Sequence, residues 1–220
     1  MESAYTIDRV MDIMKSIPLA LERQLYIFFA SEIDGTQFDH CISDLVNAKL
    51  IRHVRDYGYD LKIDGHKGRK KEQQATEDDI AAFWPIAHIG ANNIKYVYQG
   101  EGPIRLWYID NDDNMYDITV ARSEESLKLA YFIRKRLSAP YVYTSADLAD
   151  DDNIYNEAEL EKNRDKVMEE IVDDAIHAAV FYNIETAKEC KQTLLKCKYD
   201  VAYVVDIRSG DIQMFDIGDL

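Results

Sequence analysis

The stretch that most constrains this chain is Gly35 to Lys71, GTQFDHCISDLVNAKLIRHVRDYGYDLKIDGHKGRKK. Phe38, Cys41, Ile42, Leu45 and Val46 recur at the spacing of a buried helix face. The period then changes. Leu50, Ile51, Val54, Tyr57, Tyr59, Leu61 and Ile63 fall in two short β-prone runs broken at Tyr57-Gly58. A helix that runs into a hairpin, with two helices before it, predicts a winged helix-turn-helix over 1–66.

The two preceding helices are read from periodicity. Ala4 to Ser16 carries Ile7, Val10, Met11 and Met14 at helical spacing, and Pro18 ends it. Leu19 to Ser31 carries Leu21, Leu25, Phe28 and Phe29. Asp34-Gly35 signals a turn, and Thr36 is the expected cap of the third helix.

Charge singles out the same stretch. Lys49 to Lys71 holds eight Lys/Arg against three Asp, a net of +5, which leaves −20 on the rest of a chain that totals −15. An acidic protein has little generic affinity for nucleic acid, which is held through cations on phosphates. A DNA contact therefore has to be local, with the acidic remainder turned away.

The third helix would turn Thr36, Gln37, Asp39, His40, Ser43, Asp44 and Asn47 outward. Gln37, His40, Ser43 and Asn47 can read base edges. Arg52, Arg55 and Lys62 of the wing, with Lys67, Arg69, Lys70 and Lys71, would hold phosphates. Asp39 and Asp44 would repel them, so a basic hairpin on a helix unit used for protein contact or homodimerisation stands beside the double-stranded DNA reading.

A polar linker, 67–75, leads to a second domain over 76–220. Thr76 and Asp79 have capping-box spacing, and Ile80, Phe83, Trp84 and Ala87 form a helix face ending near Gly90. Ile94-Gln99, Ile104-Asp110 and Met115-Ala121 read as a meander through Gly100-Pro103 and Asn111-Asn114. A helix follows to about Leu137, then a short strand over Pro140-Thr144 and a charged helical insert over 147–175. His177-Tyr182 reads as a buried strand, Glu185-Lys196 as a helix, and Val201-Asp206 with Ile212-Phe215 as a closing hairpin. The order predicts an α+β, mixed α/β fold built on a mixed sheet.

That order is also the order of restriction-nuclease-like folds, with Asp110 and Asp117 as the metal-binding candidates. The lysine of an acid-x-Lys set is missing, because position 119 is Thr. Asp110, Asp112 and Asp113 read better as turn formers. An inert scaffold is the expectation, with no catalytic residues. Asp150-Asp151-Asp152 lacks the spacing of an EF-hand, and no phosphate loop, nucleophile elbow or zinc motif occurs, so neither cofactor nor metal is expected. His177 reads as a satisfied core or edge residue, and Cys190 and Cys197 as core thiols. Cys41, Cys190 and Cys197 form no disulfide framework, the N-terminus lacks signal-peptide features, and no apolar run approaches about 18 residues. A cytoplasmic chain with no membrane partner is the reading.

The patterns TIDRVMDIM, LERQLYIFF and FDHCISDLVNAKLIRHV, then NMYDITVA, HAAVFYNIETAKECKQTL and VAYVVDIRSGDIQMFDI, carry a resemblance. They resemble an uncharacterised bacterial family of winged-helix plus α/β proteins from conjugative and other mobile elements, similar to replication-relaxation-type proteins. The resemblance implies a winged helix joined to a nuclease-like domain. Thr119 in place of Lys, and the insert over 147–175, depart from that pattern. The resemblance supports this architecture more than a function. The leading expectation is a non-enzymatic DNA-binding or regulatory protein of a mobile element. Beside it stand a protein-interaction module without a DNA role and an inactive or divergent metal-dependent nuclease.

Overall fold

The computed structural model describes residues 2–17, 19–54, 58–61, 77–141 and 175–220. Within them the chain is a mixed α+β protein with one three-stranded and one six-stranded sheet.

The N-terminal unit runs α1 (Glu2–Ser16), β1 (Leu19–Ala20), α2 (Glu22–Phe29), α3 (Gly35–Asn47), β2 (Ile51–Val54) and β3 (Gly58–Leu61). β1 pairs antiparallel with β3, and β3 with β2, so the sheet order is β1-β3-β2. The predicted helix over Leu19–Ser31 is thus corrected. Its first two residues form a strand, which no local period reveals because Leu19 and Ala20 are paired with Asp60 and Tyr59, forty residues away. The hairpin break also moves: Gly58 opens β3 and pairs with Val54.

α3 is capped two residues earlier than the expected Thr36. Asp34 is the N-cap, its carboxylate accepting from Gln37 N–H at 2.9 Å, while Gln37 Oε1 accepts from Asp34 N–H at 3.1 Å. This reciprocal box satisfies two helix-end donors that would otherwise lack partners. Phe38, Cys41, Ile42 and Leu45 are buried on α1, α2 and β2. Val46, expected in the stripe, lies beyond its edge and is exposed.

α4 (Glu77–Ile89) is buried along nearly all of its length, from Asp79 to Ala87. A helix apolar all round needs cover on every side. α2 supplies one side and the large sheet the other. Leu25, Phe28 and Phe29 of α2 meet Ile80, Phe83 and Trp84 of α4 in one continuous core that reaches Ile118, Val180 and Val205 of the sheet. Each such side chain contributes about 1.5–3 kcal/mol on burial. Gln24, fully buried, crosses the same junction and donates to Ile80 O at 2.7 Å while accepting from Leu21 N–H.

The large sheet follows the predicted order. β4 (Ile94–Gln99), β5 (Ile104–Asp110) and β6 (Met115–Val120) are an antiparallel meander. α5 (Glu124–Tyr141) crosses over to β7 (Ile176–Phe181), which lies parallel to β6. α6 (Ile184–Glu189) and α7 (Lys191–Lys196) lead to β8 (Val201–Val205), parallel to β7, and β9 (Ile212–Asp216) closes antiparallel. The order is β4-β5-β6-β7-β8-β9. α5 continues through Pro140 to Tyr141, so no strand starts at Pro140. The linker 67–75, the Thr76 capping position and the insert, apart from Ala175, lie outside the described residues.

β6 and β7 are covered on both faces, which explains their nearly unbroken apolar sequence. Ile118, Val120, Ala178 and Val180 face α4. Ala121, Ala179 and Phe181 face the other layer with Leu127 of α5 and Leu194 of α7.

Candidate nucleic-acid interface and the polar clusters of the sheet

The outward face of α3 carries Gln37, His40, Ser43 and Asn47, all exposed. Among the described residues, its main packing partners are α1, α2 and β2 of its own unit. Gln37 is partly committed, because its carbonyl oxygen closes the capping box. His40, Ser43 and Asn47 are spaced three and four residues apart on one face. Arg52 lies in β2, opposite Asp60 of β3. Arg55, Lys62, Lys67, Arg69, Lys70 and Lys71 lie outside the described residues.

The same face is acidic. Asp39 and Asp44 are exposed, and no Lys or Arg occurs between Gly35 and Ala48. Tyr26, Val46 and Leu50 add exposed apolar surface to the unit. Cys41, beneath this face, is a buried thiol pushed up to about 11 by burial and by Asp44.

A second polar group lies sealed inside the sheet. Asp117 of β6 is fully buried and sits beside His177, its register partner on β7. It accepts from His177 Nδ1 and faces Arg134 Nε at 3.2 Å. Arg134, 1% exposed, comes from α5, donates to Cys197 O at 3.3 Å and stacks its guanidinium 4.2 Å from the Tyr199 ring centre. Burial raises the Tyr199 phenol. His177 is therefore a satisfied core residue, as its apolar strand suggested. A carboxylate with no exposed surface cannot meet a substrate. The pair instead fixes α5 to the sheet, since a buried charge left without its partner is costly.

The third cluster lies where β6 and β7 end. Arg122 holds Asp78 through Nε at 3.0 Å and Nη2 at 2.8 Å, and Tyr182 donates to the same carboxylate at 2.5 Å. Burial, then the Asp78 bond, raises the Tyr182 phenol. Nearby Asp79, at the start of α4, is bound by Arg105 of β5. Arg122 and Tyr182 also line an open cleft of about 310 Å³, with Glu77, Ala121, Asn183 and Thr186. Its cation is already matched by Asp78, and Asn183 Oδ1 already caps α6 through Thr186 N–H at 2.8 Å.

The two carboxylates considered for a metal sit on opposite faces of the sheet. Asp110 accepts at its Oδ2 from Tyr116 Oη at 2.9 Å, and Tyr116 stacks on Tyr108 with centroids 4.4 Å apart, on the α4 side. Asp117 pairs with Trp107 in register and points to the α5 side. One ion cannot bridge them, and among the described residues no group of His, Cys, Asp and Glu could hold a metal. Asp110 instead organises its turn, accepting from Asp112 N–H and Asn114 N–H at 2.9 Å each.

Sequence reasoning found the α3 face and the turn role of Asp110. It missed the Asp117–Arg134 pair, whose only trace was a lone acid inside an apolar strand. Among the described residues no helix is long and apolar enough to cross a membrane. The chain matches no protein-family model, no curated protein and no solved structure.

Proposed function

We propose that this chain is a non-enzymatic DNA-binding regulatory protein of a bacterial mobile element. In this reading the N-terminal unit is a winged helix-turn-helix, with α3 in the major groove and the β2–β3 hairpin and its basic continuation on phosphates. The carrying observation is the uncovered outward face of α3, with His40, Ser43 and Asn47, next to the single stretch of positive charge in an acidic chain. The order of helices and strands and the β1-β3-β2 pairing support the winged-helix reading, and the resemblance to replication-relaxation-type proteins agrees with it. The large sheet, with its consecutive strand order, is read as a restriction-nuclease-like scaffold without catalysis. Opposed placement of Asp110 and Asp117 supports that.

The test is binding of mixed-sequence duplex DNA at low and then physiological salt. Micromolar binding that weakens steeply with salt is expected. Replacing Arg52, Arg55 and Lys62 by Ala should lower the salt slope by about 2 to 3, roughly one unit for each cation removed from a phosphate. A folded protein that binds no duplex at low salt overturns the reading.

A second reading has its own observation. Asp39 and Asp44 on α3, with exposed Tyr26, Val46 and Leu50, suit a partner protein better than a phosphate backbone. Under it, the triple variant leaves function intact and α3 substitutions abolish partner capture.

A further inference from the structure

The two edges of the six-stranded sheet are finished differently. At β4 the edge is closed by side chains of α1. Arg9 Nη2 donates to Ile94 O at 2.8 Å and to Ala91 O at 3.2 Å, and Ser16 Oγ donates to Val97 O at 2.6 Å. At β9, among the described residues, no strand lies on the outer side. The strand, Ile212–Asp216, has no Pro, no Lys and no bulge, the devices that usually blunt an edge. Met214 in its middle is 65% exposed.

We propose that β9 docks a second copy of this chain. Two β9 strands pair antiparallel about a two-fold axis at Met214 and join two sheets into one.

The hydrogen-bond phase of the hairpin sets this register. Asp206 N–H donates to Asp211 O at 3.0 Å, so those residues form a hydrogen-bonded pair. Antiparallel pairs alternate. Val204 with Gln213 and Ala202 with Phe215 are then hydrogen-bonded as well. The N–H and C=O groups of Ile212, Met214 and Asp216 are left pointing away from β8. A two-fold axis at Met214 places Met214 opposite the partner's Met214 and Ile212 opposite the partner's Asp216. Each outward donor meets an outward acceptor, and none is left over.

Charge agrees with that register. Asp216 faces an isoleucine rather than a second carboxylate. The exposed Arg208, in the turn between β8 and β9, is carried towards the partner's Asp219, also exposed in this chain. The two copies repel through a net charge of −15 each, so salt should favour the pairing.

The experiment is light scattering of the full chain over a wide concentration range, with three variants. Wild type should pass from the mass of one chain to twice that mass, at lower concentration when salt is raised. Met214→Pro should stay at the mass of one chain with an unchanged circular dichroism spectrum, because its lost N–H makes no bond to β8. Met214→Cys should cross-link under mild oxidation, since a hydrogen-bonded antiparallel pair sets Cα atoms about 5.5 Å apart, within disulfide range. Asp216→Cys, far from its own copy, should not. A chain that remains single at every concentration overturns the proposal. So does a Met214→Pro variant that dimerises like wild type, or cross-linking at 216 as fast as at 214. The pairing is separate from the DNA reading: the Arg52, Arg55 and Lys62 variant should self-associate as wild type does.

Discussion

Gly210 lies against the face of Trp84. A Cβ on this glycine would stand 2.6 Å from Trp84 Cζ3 and 2.7 Å from Cζ2, inside any real contact distance. Its φ is +77°, a left-handed conformation that side chains disfavour. Trp84 Nε1 also donates to Ile207 O at 3.2 Å, so the turn between β8 and β9 is locked to α4 at two points. Gly210→Ala should therefore cost about 2 kcal/mol or more. For a chain of this size that lowers Tm by at least about 5 °C. Thermal unfolding measures it, and an unchanged Tm would mean the turn can move off the ring freely.

Arg134 and Asp117 predict a non-additive pair. Removing one partner leaves a buried charge, so Asp117→Leu should lose about 3–5 kcal/mol. Asp117→Leu combined with Arg134→Met should recover a large part of that loss. Chemical denaturation of the two singles and the double closes the cycle. Simple addition of the single effects would show that the two groups do not depend on each other.

Asp110 predicts an acid-dependent loss. Its partial burial works against ionisation, but the bonds from Asn114, Tyr116 and Asp112 outweigh this and hold the carboxyl below its usual range. A depressed folded pKa gives stability that is present above the unfolded value and is lost as pH falls through the folded one. With solvent screening of this surface turn taken into account, Asp110→Asn should thus be less stable than wild type by about 1 kcal/mol at pH 7. The gap should narrow once pH drops below about 4. Tyr116, pushed up to about 12 by burial and by Asp110, stays protonated throughout this window. A gap that is the same at pH 7 and in acid would sink the role of the charge.

Asp39 and Asp44 separate the two functional readings. If α3 enters the major groove, Asp39→Asn with Asp44→Asn removes two like charges from the phosphates, and duplex affinity at low salt should rise several-fold. Fluorescence anisotropy with a labelled duplex reads this out. Unchanged DNA affinity would place α3 outside the groove and favour a protein partner.

Local pattern carried much of this protein. The apolar spacing of Phe38, Cys41, Ile42 and Leu45 predicts α3, and the runs at 94–99, 104–110 and 115–121 predict the meander, because each depends on residues within one turn or one strand. Asp34 as the true cap is also local, and Thr36 competed with it only because both are good capping residues. Long-range pairing decided the rest. Leu19 and Ala20 become a strand only because β3 arrives beside them. α4 is apolar on every side because α2 and the sheet reach it from opposite directions, which no one-dimensional period can state. Asp117 and Arg134 are 17 residues apart on different elements, and only the crossover from β6 through α5 brings them to 3.2 Å. Side-chain periodicity records which face of an element is dry. It does not record which element dries it, and the separation of Asp110 from Asp117 by the thickness of a sheet is a consequence of that second choice.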